Sequence, residues 1–369
     1  MISFGRVWAL SEKEVRHVLR DPRTLYLALG MPVVMLLLFG FGVSFDLDHV
    51  PVAFVDVDRS EASRTLRRRL MASDDFRDVG TLASAQAGAA FLVGGGATAV
   101  VIVERGWSEA VARGESAPVQ VLIDGADSNT AVQTRAKLEA AIQRLGGSVD
   151  GSFQPPIETR TWTRFNPEGR SAVFLVPGIA AYVLAIVAVL LTALTVAREW
   201  ERGSMAQLFA TPVSRLEIVL GKLLPYMALG TLAVMLVLSV GMWVFDVPFR
   251  GDVLTLIVLS VLFIAGMLGQ GLFISIATRN QMAATQIATM TSMLPSMLLS
   301  GFMFPIENMP RVLQAITLVI PARYYVEGLR GVLLRGNSLA EQWPQVLALA
   351  AFACVMLALS TAKFRRTIA

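Results

Sequence analysis

Between two long apolar runs the chain carries a charged island, Ala197-Arg198-Glu199-Trp200-Glu201-Arg202-Gly203-Ser204-Met205-Ala206-Gln207-Leu208-Phe209-Ala210-Thr211-Pro212. Arg198, Glu199, Glu201 and Arg202 are ion-pairing groups. Met205, Leu208 and Phe209 follow Gly203 at helical spacing, and Pro212 stops the run. That order predicts a short amphipathic helix over 198–212, lying at a membrane surface between two spanning helices. Such a segment reads as a handle by which something soluble moves the membrane part.

No other segment gives the chain a reaction to run. Gly94-Gly95-Gly96 lacks a following Gly-Lys-Ser/Thr, and Gly221-Lys222 is followed by Leu223, so there is no P-loop. His17 and His49 are the only histidines, with no His-Glu-x-x-His, and neither falls in the α/β core predicted below. Cys354 is the single cysteine, which excludes an internal disulfide and a thiolate metal site. The chain therefore reads as non-catalytic, with no catalytic residue, metal or cofactor of its own.

The elements around the island are those of a membrane protein. Hydrophobic residues make up 54% of the 369 and charged ones 16%, against about 25% charged in soluble domains. Residues 1–24 have apolar positions at Phe4, Val7, Trp8, Val15, Val18 and Leu19, which predicts an amphipathic helix flat in the interface. Apolar runs at 25–44, 172–196, 216–245, 253–277, 283–304 and 343–362 predict six transmembrane helices. Pro177-Gly178 suggests a kink in the second, and Pro295 interrupts the fifth. Residues 305–341, broken by Pro305, Pro310 and Pro321, read as a re-entrant segment of short helices on the outer face.

Residues 45–171 differ in kind. They hold 14 of the 32 Lys and Arg, and short β-branched runs alternate with helical patterns. Strands are predicted at 50–57, 78–82, 97–103, 119–123 and 157–165, with helices between, giving a compact α/β domain inserted between the first two spans. With the N-terminus in the cytoplasm, thirteen basic residues of the short segments lie inside and five outside. That bias orients the chain with both termini inside, the island inside and the α/β domain extracytoplasmic.

The cores of the six runs contain no Asp, Glu, Lys or Arg, which argues against an ion-coupled carrier. Gln270, Ser275 and Gln286, with Met290, Met293 and Met297 at helical spacing, are the candidate lining of a substrate path. Such hydroxyls and amides more commonly hold helices together, and methionine stripes more commonly fill cores.

Several stretches resemble the ABC-2 type transporter permeases, in particular the drug-export-like half-transporters with a large domain between spans 1 and 2. Val50-Pro51-Val52-Ala53-Phe54-Val55-Asp56, Asp124-Gly125-Ala126-Asp127-Ser128-Asn129, Phe165-Asn166-Pro167-Glu168 and Val176-Pro177-Gly178 carry part of the likeness. Arg198-Glu199-Trp200-Glu201-Arg202-Gly203-Ser204, Thr211-Pro212 and Gly221-Lys222-Leu223-Leu224-Pro225-Tyr226 carry its most specific part, with Ser300-Gly301-Phe302-Met303-Phe304-Pro305 on the outer face. Ala206 stands where the family commonly has Glu. The resemblance implies that 198–212 is a coupling helix docking in a separate ATPase subunit, which binds the ATP and Mg. It implies a dimer of permease halves in a bacterial inner membrane, with a periplasmic adaptor protein in similar systems. The function expected is export of an amphipathic or hydrophobic substrate, a drug or a lipid-like molecule. The alternative is a membrane-anchored receptor or assembly platform whose 45–171 domain binds a ligand or periplasmic partner.

Overall fold

The computed structural model describes residues 3–42, 49–115, 117–126, 128–146, 165, 170–205, 211 and 213–364. The chain divides into two compact units, Ser44–Thr163 and the remainder, Met1–Val43 with Arg164–Ala369.

The smaller unit is α/β. Its strands are β1 (Val50–Asp56), β2 (Phe76–Leu82), β3 (Ala99–Val103) and β4 (Gln120–Ile123), in the order β2-β1-β3-β4. β1 pairs parallel with β2 and β3, and β4 runs antiparallel to β3. Period-2 alternation divides β1 between two cores. Val50, Val52 and Phe54 pack with Leu70 and Leu138 on one face, and Ala53 and Val55 with Ala97, Val100 and Ile102 on the other. A strand buried on both faces needs helices on both, as in any parallel sheet. They are Glu61–Met71, Ala85–Val93, Trp107–Ala112 and Ser128–Gly146. Ser60 and Ser84 cap the first two, their hydroxyls accepting from the N–H groups of Ser63 and Ala87. The strand expected over 157–165 lies outside the described residues except for Phe165.

The larger unit is helical. We label its helices α1 (Phe4–Arg20), α2 (Pro22–Gly42), α3 (Ser171–Glu201), α4 (Arg215–Val244), α5 (Val253–Thr278), α6 (Gln281–Leu298), α7 (Arg311–Thr317), α8 (Pro321–Arg330) and α9 (Trp343–Lys363). Among the described residues five helices are long and apolar enough to cross a membrane: α2, α3, α4, α5 and α9. The run expected over 283–304 forms α6, which ends at Leu298. Pro295 does not interrupt α6; it stands one turn from its end, where the Leu299 N–H closes on the Pro295 carbonyl. Nor does Pro177 break α3, which is continuous through it. α2 begins three residues before the apolar run because Asp21-Pro22 starts it. The Asp21 carboxylate accepts from the Arg23 N–H, and Pro22 stands where no N–H is needed. Its turn Tyr26–Gly30 is a π-helix. Pro32 has no N–H for the Ala28 carbonyl, and the wider turn just before it absorbs the misfit.

α3 is the central helix. It touches α5 at Gly271, where a β-carbon would overlap the Val189 carbonyl and the Thr192 hydroxyl. Hydroxyls bridge the same pair: Thr192 donates to the Leu268 carbonyl at 2.8 Å and Ser275 to the Ala193 carbonyl at 2.9 Å. Ser360 on α9 donates to the Gly269 carbonyl at 3.1 Å. At the other end of α3, Phe302 seats against Gly178, leaving no room for a β-carbon there, and stacks on Tyr182 at 6.2 Å. α8 packs beside it, with Tyr325 stacked on Phe263 at 4.1 Å and its hydroxyl 2.9 Å from that of Ser260.

Candidate coupling site

The charged island is not a separate helix at its start. α3 carries Arg198, Glu199, Trp200 and Glu201 as its last turn and ends where Gly203 takes a left-handed φ of +72°. The predicted start at 198 is corrected accordingly: helix geometry continues through the charges, because partners within the chain receive them without breaking the backbone bonds of the terminal turn. The Gly203 N–H returns to the Trp200 carbonyl, a closure that only glycine adopts readily. Leu208, Phe209 and Pro212 lie outside the described residues. On the far side, α4 starts with a capping box in which the Ser214 hydroxyl accepts from the Glu217 N–H and Glu217 accepts from the Ser214 N–H. Both ends of the segment are therefore fixed by local chemistry.

The island's charges turn inward to the same chain. Glu199 Oε2 lies 2.5 Å from Lys222 Nζ, whose second partner is Glu14 Oε1 at 2.8 Å. Arg198 lies 3.6 Å from Asp21 and donates to Gln281. Glu201 accepts from the Gln281 backbone N–H at 2.7 Å and from its side-chain amide. Arg279 stacks on Trp200 at 4.5 Å, so the last turn of α3 is also tied to the turn between α5 and α6. Met205, expected to fill a partner's groove, is 1% exposed and packs within its own chain. Among the described residues of the island, Arg202 and Gly203 are exposed.

α1 completes the site. Val7, Ser11, Glu14 and Val18 form its buried stripe, whereas Phe4, Trp8, Val15 and Leu19 form an exposed one. The first stripe lies on α4: Ser11 donates to the Gly221 carbonyl at 3.1 Å, and Gly221 lacks the β-carbon that Leu10 would meet. The Ser3 N–H and the Arg6 guanidinium reach Glu217. Tyr226 donates to the second oxygen of Glu14 at 3.4 Å. Gly221, Lys222 and Tyr226, read from sequence only as a pattern, are thus the seat for α1. Glu14, Asp21 and Gln281 escaped sequence reasoning. One signal was available: Ser11 and Glu14 are polar residues on the stripe defined by Val7 and Val18. Asp21 titrates below the usual carboxylate range. The Thr24 hydroxyl is the main cause, helped by the Arg23 and Thr24 N–H groups and by Arg198, against some burial.

The expected substrate-path residues do not form one lining. Ser275 is fully buried and engaged in the α3–α5 contact, so it is withdrawn from the path. Gln270 donates to the Thr291 hydroxyl at 3.1 Å between α5 and α6. Gln286 and Met290 are exposed on α6, with Met293 and Met297 half-buried beside them.

Residues 22–362 match the family described as ABC-2 family transporter protein. The chain is 36% identical to a probable multidrug ABC transporter permease, YbhS, of Escherichia coli (strain K12), over 100% of this chain and 99% of that one. It is 28% identical to a second such permease, YbhR, of the same strain, over 99% and 100%. It is 22% identical to the linearmycin resistance permease protein LnrN of Bacillus subtilis (strain 168), over 96% and 97%. The chain belongs to the ABC-2 transporter family, as a multi-pass membrane permease.

Proposed function

We propose that the chain is the membrane-spanning subunit of an ATP-driven exporter. A separate ATPase subunit binds ATP and Mg and does the hydrolysis, and two permease halves form the transporter in a bacterial inner membrane. In this reading α6 crosses as a sixth span, the N-terminus and the 198–212 segment face the cytoplasm, and the α/β unit is extracytoplasmic. A periplasmic adaptor protein is a further partner by analogy with similar systems. The observation that carries the reading is the island itself. It leaves the end of α3, returns at a capped α4, and ties its flanks into three other elements, as a segment that receives force must. Arg202 and the residues after Met205 would meet the ATPase. The names of the relatives support a drug substrate; an amphipathic or lipid-like molecule is our extension of that, with the Met290 face of α6 as its path. The test is co-purification in mild detergent followed by reconstitution. An ATPase subunit should accompany the permease, and vesicles should export an amphipathic dye when ATP is supplied; absence of both removes the exporter reading.

A second reading, a platform that captures a ligand, has one observation behind it. Glu61, Arg64, Arg67, Arg68, Met71 and Asp78 line an open groove of about 570 Å³ in the α/β unit, within the size range of small-molecule sites. It would prevail if the purified protein bound an anionic ligand there and ATP had no effect on it.

A further inference from the structure

We propose that α1 is a working part of the coupling machinery: Glu14 is the permanent counter-ion of Lys222, and the Glu199–Lys222 bond is a latch that opens when the coupling segment moves. The proposal rests on the exporter reading above. It starts from a lysine shared between two carboxylates that come from two different helices. The Lys222 side chain is 6% exposed, with Glu14 at 2.8 Å and Glu199 at 2.5 Å.

The two bonds are not equivalent. Glu14 is 7% exposed and Glu199 22%. Glu14 also accepts from Tyr226, and its helix is fastened to α4 at Glu217 and Gly221. It cannot leave Lys222 unless α1 peels away. Glu199 sits one turn before Gly203, on the helix end that continues directly into the coupling segment. It leaves whenever the end of α3 shifts against α4.

The pair of acids makes that motion feasible. A buried lysine stripped of its only counter-ion is strongly destabilised, far more than one that keeps a hydrogen-bonded carboxylate. With Glu14 in place, opening the latch sacrifices one of two bonds and never leaves the ammonium alone. Glu14 and Glu199 are positioning residues; neither is asked to touch a substrate. The same arrangement gives Gly221 its role, since α1 can bring Glu14 to Lys222 only because its backbone passes close over that glycine.

The test compares two isosteric variants in the full permease, alone in detergent and with its ATPase in vesicles. Glu199→Gln is expected to hold the melting temperature within about 2 °C and to lower transport per ATP hydrolysed by about tenfold. Glu14→Gln is expected to lower the melting temperature by about 5 °C, and Lys222→Met added to Glu14→Gln to restore it. If the single Glu14 variant does not accumulate, recovery of folded protein in the double variant takes the place of the restored melting temperature. Equal melting shifts in the two single variants, no restoration by Lys222→Met, or unchanged transport per ATP in Glu199→Gln would each overturn the proposal. The melting comparison needs no ATPase. If the wild-type chain engages no ATPase, the exporter reading fails and the latch with it, while the melting data still decide whether Glu14 holds Lys222.

Discussion

In the α/β unit, Val50, Val52 and Phe54 meet Leu70 and Leu138 across one face of a sheet. In the helical unit, α3 meets α5 through Gly271, Thr192 and Ser275. The first contact is made of large apolar side chains, as water demands. The second is made of a missing side chain and two hydroxyls, as lipid allows: where the surroundings are as apolar as leucine, burying leucine gains little and close backbone approach gains more. One chain uses both solutions, and each unit should be most sensitive to a different kind of substitution.

The comparison breaks first at Gly271. Gly271→Leu places a side chain where not even a β-carbon fits, and we expect no monodisperse protein by gel filtration in detergent; a wild-type elution profile would show that the α3–α5 contact is dispensable. Phe54→Ala should cost about 3–5 kcal/mol within the α/β unit, seen as faster amide exchange in β1 and β3 of the full chain, with α3 and α5 unaffected. Ser275→Ala should cost only about 0.6–2 kcal/mol, as a small fall in melting temperature. The smallest effect is a pH dependence confined to the α/β unit. Burial would raise the Asp58 carboxyl, but the Ser60 and Ser108 hydroxyls and the Gly106 and Ser108 N–H groups outweigh it and hold it below its ordinary value. A depressed folded value means stability present above the unfolded value of about 3.9 and lost as pH falls through the folded one. Exchange rates near Gly106 should therefore rise on acidification below about pH 4, and Asp58→Asn should flatten that response.

The sequence made the local features legible and hid those that depend on distance. β1 and β3 stood out because fully buried strands read as near-continuous apolar runs, here Val50–Val55 and Ala99–Val103. Ser60 as a cap was visible because it acts on its immediate neighbours, whereas Gly203 as a helix end was not: the helix expected over 198–212 runs through it. The continuation of α3 through Arg198–Glu201 was not, since charges after an apolar run mark the membrane boundary equally well whether or not the helix goes on. Lys222 illustrates the harder case. Its partners are 23 and 208 residues away, and nothing at position 222 says which acids will come to it. The π-helical turn at Tyr26–Gly30 fell between the two: Pro32 signals a misfit without saying which turn absorbs it.

The seat of Phe302 on Gly178 has a geometric consequence for α3. A ring pressed onto bare backbone resists sliding and rotation of the helix at that point, yet permits it to tilt. Glu199 lies 21 positions further along, about 32 Å at the usual helical rise. On the exporter reading proposed above, α3 would act as a lever pivoted at one end and loaded at the other. A tilt of about 5° carries the far end about 3 Å, on the order of one hydrogen-bond length.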